Sequence, residues 1–421
     1  MRWLLTVFAL AVLARVLGQL LLGAFVQPDT FEYEVVATNL VDGHGYTFAS
    51  PDGGTYVASQ SSPLYILLTA GIYAVSNHSQ TLMLVVQALL GGLTAALTAW
   101  LTARVFSRSA GVVGGVLVAL DPALVFYASE LHSLTLDALS NVALVCATIA
   151  LPTRPTVRKG AAYGALFGLA ALTRATALVL LPLHVLWLAR RRVVGFASLP
   201  VLAMVVGAIV VYAPWPVRNS LLLDQVTFGS SETTEWFWRG NNPNANGGSL
   251  TTDEERMLDR APADFRAQIA TADESERVTL YRDAALRFIG SNPSAAMELY
   301  LVKLGTFWWG SDQTGLLYPA LYLVGYRIWY VMAVVAAAVG VVNRRTTQQQ
   351  REVLVLILGS AIVVSLTQAV FYVEGRHRVA IEPLLLVYAA GGLTWLYRRV
   401  ADATARPRPV AESDRRPLDW A

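Results

Sequence analysis

Residues 3–26, WLLTVFALAVLARVLGQLLLGAFV, form a long apolar stretch that Arg15 interrupts. A helix needs about 20 apolar residues to cross the hydrocarbon core of a bilayer, and this stretch is long enough. It is too long for the apolar region of a signal peptide, and no small-residue cleavage site follows it. The sequence therefore predicts an uncleaved first membrane-spanning helix.

The composition of the whole chain follows the same pattern. Of the 421 residues, 55% are hydrophobic and 14% are charged, and the mean hydropathy is +0.48. Soluble domains carry about 25% charged residues, so the shortage of charge is large. Long apolar stretches alternate with short Arg-rich connectors, which is typical of a helical membrane bundle. Nothing indicates nucleic-acid binding, and the lone Cys146 excludes an intramolecular disulfide.

Ten apolar stretches are candidate spans. They are residues 3–26, 81–103, 110–127, 131–151, 160–172, 175–189, 193–213, 320–342, 352–372 and 379–397. Ten spans place both termini on one side of the membrane. Four Arg-rich connectors then fall on that side, together with Arg398 and Arg399. Since cytoplasmic connectors collect Lys and Arg, this side is predicted to be cytoplasmic. The first loop, 27–62, contains acidic residues but no Lys or Arg, and is predicted to lie outside.

Two segments do not fit a simple count of spans. Residues 63–77, PLYILLTAGIYAVSN, are apolar but short, and a span there would invert every later connector. We expect a helix that lies in the outer interface. Residues 160–189 are interpreted as two short helices with Arg174 at their junction, because one long helix would place Arg190 to Arg192 outside.

The polar residues are concentrated on the outer side. The first loop combines an amphipathic segment, 29–41, with a hairpin-like segment, 45–59, whose Asp-Gly-Gly favours a tight turn. A second outer region is predicted to hold an amphipathic helix at about 276–290 and an interfacial stretch, 300–309, with Phe307, Trp308 and Trp309 at headgroup level.

We therefore predict an all-α polytopic membrane protein. It has about ten transmembrane helices, interfacial helices in the first extracytoplasmic loop and a small extracytoplasmic α(+β) region. Its predicted parts are an N-terminal transmembrane catalytic module, 1–213, with the first loop as 27–80; an extracytoplasmic region, 214–319; C-terminal transmembrane helices, 320–400; and a disordered cytoplasmic tail, 401–421.

Asp29 follows the first helix directly, in the turn Pro28-Asp29-Thr30. An acid just above the outer leaflet is well placed to act as a general base on an acceptor that arrives from outside. The alternative is an N-cap, because Asp before an amphipathic helix commonly caps it. Glu32 and Glu34 are interpreted as first-turn charges that favour the N-terminus of that helix.

Glu130, Asp137 and Asn141 have the spacing of a stripe along one face of the fourth span. Carboxylates in lipid are costly and usually face a wet cavity or a partner. For Glu130, catalysis and structural pairing both remain open. For Asp137 we favour structural pairing, for instance with Arg15 of the first span.

Four arginines lie on the outer side, against the positive-inside trend: Arg174, Arg218, Arg376 and Arg378, with His377 between the last two. Arginine binds phosphate in bidentate fashion and stays charged at low dielectric. Together they could hold a lipid-linked phosphate and stabilise it as a leaving group. The alternative for each is snorkelling to lipid headgroups. The sequence contains no Walker A motif, no GxGxxG and no HExxH, which excludes an ATP-driven pump as a leading hypothesis.

An ordered series of segments resembles the GT-C membrane glycosyltransferases, in particular the bacterial branch similar to protein O-mannosyltransferases and the lipid A aminoarabinose transferase. The similarity runs over about residues 1–400. After Pro28-Asp29 the series is EYEVVATNLVDGHGY (32–46), SSPLY (61–65), ARVFSRSAG (103–111), DPALVFYASELHSLTLDAL (121–139), ALTRATALVLLP (171–182), APWPVRN (213–219) and FYVEGRHRVAIEPLLL (371–386).

The resemblance implies an inverting enzyme that takes its sugar from a polyprenyl-phosphate donor on the extracytoplasmic face of a bacterial-type inner membrane. The acceptor would be a glycan, a lipid or a protein. Asp29 would be the catalytic base, and Glu130 is similar to the family's second acidic position. Arg376 and Arg378, with Arg218 and Arg174, would bind the donor phosphate. The remaining substrate contacts would be Glu32, Tyr33, Gln60, Tyr65 and His377.

Two departures from the family stand out. Many relatives have Lys or His before Pro-Leu-Tyr, where this chain has Gln60, Ser61 and Ser62. The first-loop acid is followed by Thr30 and not by a second acid. A divalent metal assists some GT-C enzymes, but no His/Asp cluster in this sequence argues for one.

Two other functions compete with an enzyme. A transporter or flippase of lipid-linked sugars would also need outer cations and a membrane cavity, but the sequence has no inverted repeat or paired broken helices. A non-catalytic scaffold or receptor would leave the polar groups within the membrane unexplained.

Overall fold

The computed structural model describes residues 2–49, 55–57, 62–227, 229–310, 320–342 and 347–405, and these residues are mostly helical. The elements in chain order are α1 (Arg2–Leu21), α2 (Glu32–Val41), β1 (Phe48–Ala49), β2 (Thr55–Tyr56), α3 (Pro63–Ser76), α4 (Gln80–Val105), α5 (Arg108–Leu120), α6 (Pro122–Phe126), α7 (Leu134–Ala150), α8 (Val157–Thr173), α9 (Ala177–Arg190), α10 (Leu199–Tyr212), α11 (Pro214–Leu223), α12 (Glu232–Arg239), α13 (Ala263–Thr271), α14 (Glu274–Ser291), α15 (Pro293–Trp309), α16 (Ala320–Val342), α17 (Gln348–Gln368), α18 (Arg376–Val379) and α19 (Glu382–Ala405).

Each predicted span overlaps one or more helices, because each is a long apolar run. Among the described residues, four helices are long and apolar enough to cross a membrane by themselves: α1, α4, α16 and α17. The pair α10 and α11, bent by 45° at its junction, adds a fifth candidate. An all-helical membrane protein is therefore confirmed, while the count of ten spans stays a prediction.

The helical core divides into two packed groups. In the first, α1 and α5 pack on α4, and α19 packs on α16 and α5. In the second, α8 packs on α10 and also contacts α7 and α9, while α17 packs on α9. The exposed surfaces of these helices are rich in Leu, Val and Ile, as expected where lipid rather than water is the surrounding medium.

Glycines allow α8 and α10 to lie with their backbones in contact. A Cβ atom added at Gly164 would lie 1.8 Å from the carbonyl oxygen of Met204. Gly160 faces Pro200 and Gly168 faces Ala208 in the same way, so the two helices run side by side in the same direction. Their C-terminal ends therefore lie at the same end of the pair.

The segments that are predicted to lie outside follow their predicted structures in most places. The amphipathic stretch of the first loop forms α2, and the apolar segment 63–77 forms α3, which packs against α2 and α8. The hairpin is confirmed by the antiparallel pair β1–β2, and its predicted Asp-Gly-Gly turn lies outside the described residues. In the second outer region, α14 covers the amphipathic helix predicted at 276–290.

Three predicted boundaries are wrong. The span 110–127 is broken at Asp121, which caps α6 through Leu124 N at 3.0 Å and precedes a helix-starting proline. Glu130 does not belong to a helical stripe with Asp137, because α7 begins at Leu134. The last helix continues to Ala405, so any disordered tail begins later than residue 401.

Candidate functional site

The two predicted catalytic acids are brought together by backbone pairing between distant segments. Leu131 N donates a hydrogen bond to the Asp29 carbonyl oxygen at 2.9 Å, and Thr30 and Leu131 form an isolated parallel bridge. The His132 ring packs edge-on against Phe31, with ring centroids 4.9 Å apart. The turn after α1 and the turn before α7 thus form one unit that carries Asp29 and Glu130 side by side.

Asp29 is exposed and does not cap α2. The N-cap of α2 is Phe31, which makes no side-chain cap hydrogen bond. The N-cap alternative for Asp29 is therefore wrong, and the carboxyl group of Asp29 is left for another role.

Glu130 differs sharply from its neighbour in environment. It is 4% exposed, and its Oε2 atom is buried with no hydrogen-bond partner among the described residues. Burial, and after it the charge of Asp29, raise the pKa of the Glu130 carboxyl to about 8. Glu130 therefore holds a proton at neutral pH, and Asp29 is the member of the pair that is open to solvent.

A cleft of about 140 Å³ adjoins this unit through His132, and neither Asp29 nor Glu130 is part of its lining. Its wall is built from α2, the start of α3, the junction of α8 and α9, the α10–α11 bend, the segment around α12 and the turn before α18. Residues from both ends of the chain thus meet in one cavity. Its charged and aromatic wall residues are Tyr33, His132, Arg174, Tyr212, Trp215, Trp236, Phe371, Tyr372, Arg376 and His377.

Arg174 and Arg376 present their guanidinium groups to this cavity in the same manner. Arg174 follows the last residue of α8, and its Nε donates to Asp137 Oδ2 at 2.6 Å. Arg376 begins α18, and its Nε lies 2.7 Å from Glu374 Oε2. Within the part of the chain that the structure describes, the terminal nitrogens of both side chains make no hydrogen bond. Each arginine is therefore held through Nε, and its two terminal nitrogens, Nη1 and Nη2, form a two-pronged end that can bind an oxyanion.

The Asp137–Arg174 pair corrects the predicted pairing of Asp137 with Arg15. Arg15 is buried in α1 and donates instead to the carbonyl oxygens of Ala11 and Val118. Asn141 does accompany Asp137, as predicted, through a 3.0 Å hydrogen bond between their side chains. The carboxylate of Asp137 thus positions an arginine of the cavity rather than one of the first span.

The other two predicted arginines do not line the cavity. Arg218 stacks 5.2 Å from the ring centre of Trp215, a residue of the cavity wall, and binds Asn219 at 2.7 Å. Arg378 is buried beneath the site, and its donors are occupied by Glu382 Oε1, the Phe307 and Trp308 carbonyl oxygens and the Tyr326 hydroxyl.

The residues predicted to contact substrate do not all lie at the cavity. Tyr33 and His377 line the cavity. Glu32 is exposed outside the cavity wall, and Tyr65 is buried with its hydroxyl bound to Gln87 Oε1 at 2.7 Å. Gln60 lies outside the described residues.

Sequence reasoning missed several residues of the cavity wall, and also Glu374, which pairs with Arg376 but does not line the cavity. His132 lies two residues after Glu130 in the segment ELHS, a proximity that could have drawn attention to it. Glu374, which pairs with Arg376, lies in the same short motif as its partner. Tyr212 and Trp236 carry no local signal, since aromatic residues are expected at membrane edges in any case. No group of three or more His, Cys, Asp or Glu side chains in the described ranges could hold a metal ion.

Comparison with known proteins agrees with this geometry at the level of the fold. The family model described as dolichyl-phosphate-mannose-protein mannosyltransferase matches residues 60–217, which is less than half of the chain. No curated protein sequence matches the chain. Together with the fold shared with AglB, reported below, the family match confirms the predicted resemblance to the GT-C membrane glycosyltransferases.

Three solved structures are similar to this chain. The oligosaccharyltransferase AglB from Archaeoglobus fulgidus, in complex with an inhibitory peptide and a dolichol-phosphate, matches with a TM-score of 0.50 and 14% identity over 96% of this chain and 52% of its own. The same enzyme tethered to an acceptor peptide matches with a TM-score of 0.50 and 14% identity, over 95% of this chain and 50% of its own. ArnT from Cupriavidus metallidurans, bound to undecaprenyl phosphate, has a TM-score of 0.41 and 14% identity, over 96% of this chain and 79% of its own. The chain thus spans about half the length of AglB and shares its fold.

Proposed function

We propose that this protein is an inverting glycosyltransferase, which moves a sugar from a polyprenyl-phosphate-linked donor to an acceptor on the extracytoplasmic side of the membrane. The observation that carries the proposal is the convergence of Arg174 and Arg376 in one cavity, each with a free two-pronged end. Two such ends suit the oxygens of a phosphate group. The fold shared with AglB, which is solved with a dolichol-phosphate, supports the same donor class.

The paired acids supply the second half of the proposed chemistry. An acceptor hydroxyl attacks the anomeric carbon, its proton passes to Asp29, and the bond between that carbon and the phosphate oxygen breaks. The lipid phosphate leaves with the bonding electrons, and Arg174 and Arg376 stabilise its added negative charge. Glu130, which is buried beside Asp29 and does not line the cavity, is proposed to act through Asp29 and not by direct contact with substrate. The acceptor is a glycan, a lipid or a protein.

The proposed orientation follows from charge placement. The loop that contains Asp29 has no Lys or Arg, whereas the connectors at the opposite ends of the helices are rich in arginine. With the ten predicted spans, this charge distribution supports a cavity on the extracytoplasmic face of a bacterial-type inner membrane. The module 1–213 supplies the acids and Arg174, and residues 320–400 supply Arg376.

The decisive variant is Asp29→Asn. It removes the proposed base while keeping the size of the side chain, and Asp29 is exposed, so folding should be unaffected. We expect sugar transfer from a purified polyprenyl-phosphate donor to fall by at least about 100-fold. Asp42→Asn, an exposed acid in the same loop, is the matched control and should keep full activity. Normal transfer by the Asp29→Asn protein would remove the proposed base.

The competing transporter hypothesis makes a different prediction. A flippase moves the lipid-linked sugar across the membrane without forming a glycosidic bond. Mass spectrometry of the cell envelope in a deletion strain separates the two: loss of one sugar supports the enzyme, whereas accumulation of inward-facing donor supports the flippase.

A further inference from the structure

Two histidines face the cavity from opposite ends of the chain. His132 belongs to the turn before α7, and His377 belongs to α18. Both line the cleft, and they are only 5% and 8% exposed. Neither has a role in anchoring Arg174 or Arg376, which are held by carboxylates.

The backbone determines which ring nitrogen carries the proton in each histidine. Leu134 N donates to His132 Nδ1 at 3.1 Å, and Glu374 N donates to His377 Nδ1 at 3.2 Å. A nitrogen that accepts a hydrogen bond cannot itself bear a proton, so each neutral ring carries its proton on Nε2. A proton on Nδ1 would clash with the hydrogen of the backbone N–H group that donates to this nitrogen. The same local geometry thus keeps both rings neutral and leaves one N–H donor on each.

The surroundings reinforce this state. Burial, and after it the charges of Arg174 and Arg376, lower the pKa of His377 well below its ordinary value. His132 is fixed in orientation by edge-on contacts with Phe31 and Tyr33, at 4.9 and 5.5 Å between ring centroids. No described group accepts a hydrogen bond from Nε2 of either histidine. Neither Nε2 atom belongs to the fully buried atoms that lack a partner, so both are open to the cavity, where a ligand can accept their hydrogen bonds in place of water.

We propose that His132 and His377 are a pair of neutral N–H donors that complete the phosphate site between Arg174 and Arg376. The inference rests on the proposed function and extends it. Because Asp137 and Glu374 already balance the charge of the two arginines, the site is close to neutral before the donor arrives. The histidines donate hydrogen bonds to phosphate oxygens without adding positive charge. The negative charge of the product phosphate is therefore stabilised as it forms, while the net charge of the site does not rise and slow the release of that product.

The test measures binding of a short phosphodiester, farnesyl methyl phosphate, to the purified full-length chain. Trp215 and Trp236 line the cavity, so intrinsic tryptophan fluorescence reports occupancy. His132→Phe and His377→Phe keep a planar ring but remove the donor, and each should weaken binding about tenfold. His132→Gln and His377→Gln place an amide N–H near the position of Nε2, and should recover binding to within about threefold of the unmodified protein.

Two controls make the outcomes distinct. His44→Phe changes an exposed histidine outside the cavity wall and should not alter binding. Arg376→Gln should weaken binding independently of the histidines. If the Phe variants bind as tightly as the unmodified protein while Arg376→Gln does not, the histidine inference is overturned and the proposed function stands. If Phe and Gln variants lose binding equally, the rings are structural and the inference again fails. If Arg376→Gln also binds normally, the proposed donor site itself falls.

Discussion

Glu130 is a carboxyl group that folding removes from water without giving both of its oxygens a partner. Its pKa of about 8 in the folded protein is well above the ordinary value, so the folded chain retains a proton that the unfolded chain releases. The resulting stability is fully present below about pH 4 and is lost as the pH rises through about 8.

The variant Glu130→Gln should therefore change how stability depends on pH. Its midpoint of thermal unfolding should vary less between about pH 5 and pH 8.5 than that of the unmodified protein, and it should be the more stable of the two at the upper value. Glu32→Gln, at an exposed acid on the neighbouring helix, is the matched control and should leave the pH dependence unchanged. Equal slopes for Glu130→Gln and the unmodified protein would contradict the raised pKa.

Arg376 and Arg378 are separated by one residue but have different surroundings. Arg376 ends in the cavity, whereas every donor nitrogen of Arg378 has a protein acceptor and its guanidinium lies 3.6 Å from the Tyr330 ring centre. Removing one partner of a buried ion pair commonly costs about 3–5 kcal/mol.

We therefore expect Arg378→Gln to lower the thermal unfolding midpoint by several degrees. Arg376→Gln breaks a more exposed ion pair, that with Glu374, so it should lower the midpoint by less, and it should reduce kcat/KM for the lipid-linked donor by about 100-fold or more. Unfolding followed by fluorescence and transfer assays on the same preparations measure both quantities. The reverse assignment, in which Arg378→Gln is stable but inactive, would show that both arginines serve the donor.

At the level of elements, the contact between α8 and α10 has the greatest consequence for the site. The two helices run in the same direction, and their ends bring Thr173 and Tyr212 to the cavity wall. Arg174 follows α8 directly. A change in the spacing of this helix pair would therefore move Arg174, a proposed phosphate-binding residue, relative to the opposite wall of the cavity.

Gly164→Ala tests this dependence. The added methyl group would lie 1.8 Å from the Met204 carbonyl oxygen, so the helices must separate, and overpacking of this kind costs about 1–3 kcal/mol. Gly290→Ala in α14 is the matched control: nothing lies within 4 Å of its new methyl group, and stability should rise by about 0.5–1 kcal/mol. Thermal unfolding of both variants measures the contrast. An unchanged midpoint for Gly164→Ala would contradict the close contact.

Helices were the most predictable elements because their signals are local. Apolar runs and their Arg-rich ends indicated α1, α4 and α17 without any knowledge of packing. The break at Asp121 was not predicted. An Asp-Pro pair indicates the end of a helix less strongly than a long apolar run indicates a continuous helix. The start of α7 was also misplaced, because the backbone before it pairs with residues about a hundred positions away.

For the molecule as a whole, orientation in the membrane is the property to test. Cys146 is buried, so it should contribute little background to labelling from outside. Cysteine placed at the exposed position of Asp264, in the outer region, should react in intact cells with a membrane-impermeant maleimide. Cysteine placed at the exposed position of Arg158 should react only after the membrane is opened. Labelling of Arg158→Cys in intact cells would show that the topology is the reverse of the one proposed.

The sequence alone determined that the chain is a helical membrane protein, where its helices lie and which acids and arginines were candidates for chemistry. Composition and periodicity decide these properties because they depend on the preference of each side chain for lipid or water, which is a local property of the sequence. Only the tertiary structure decided which candidates work together. The segments of Asp29 and Glu130 lie side by side, and Arg174 and Arg376 line one cavity, through packing between parts of the chain that are far apart in sequence. Such contacts depend on how helices pack, which neither charge pattern nor spacing encodes; this is why Asp137 was assigned to Arg15 when its partner is Arg174.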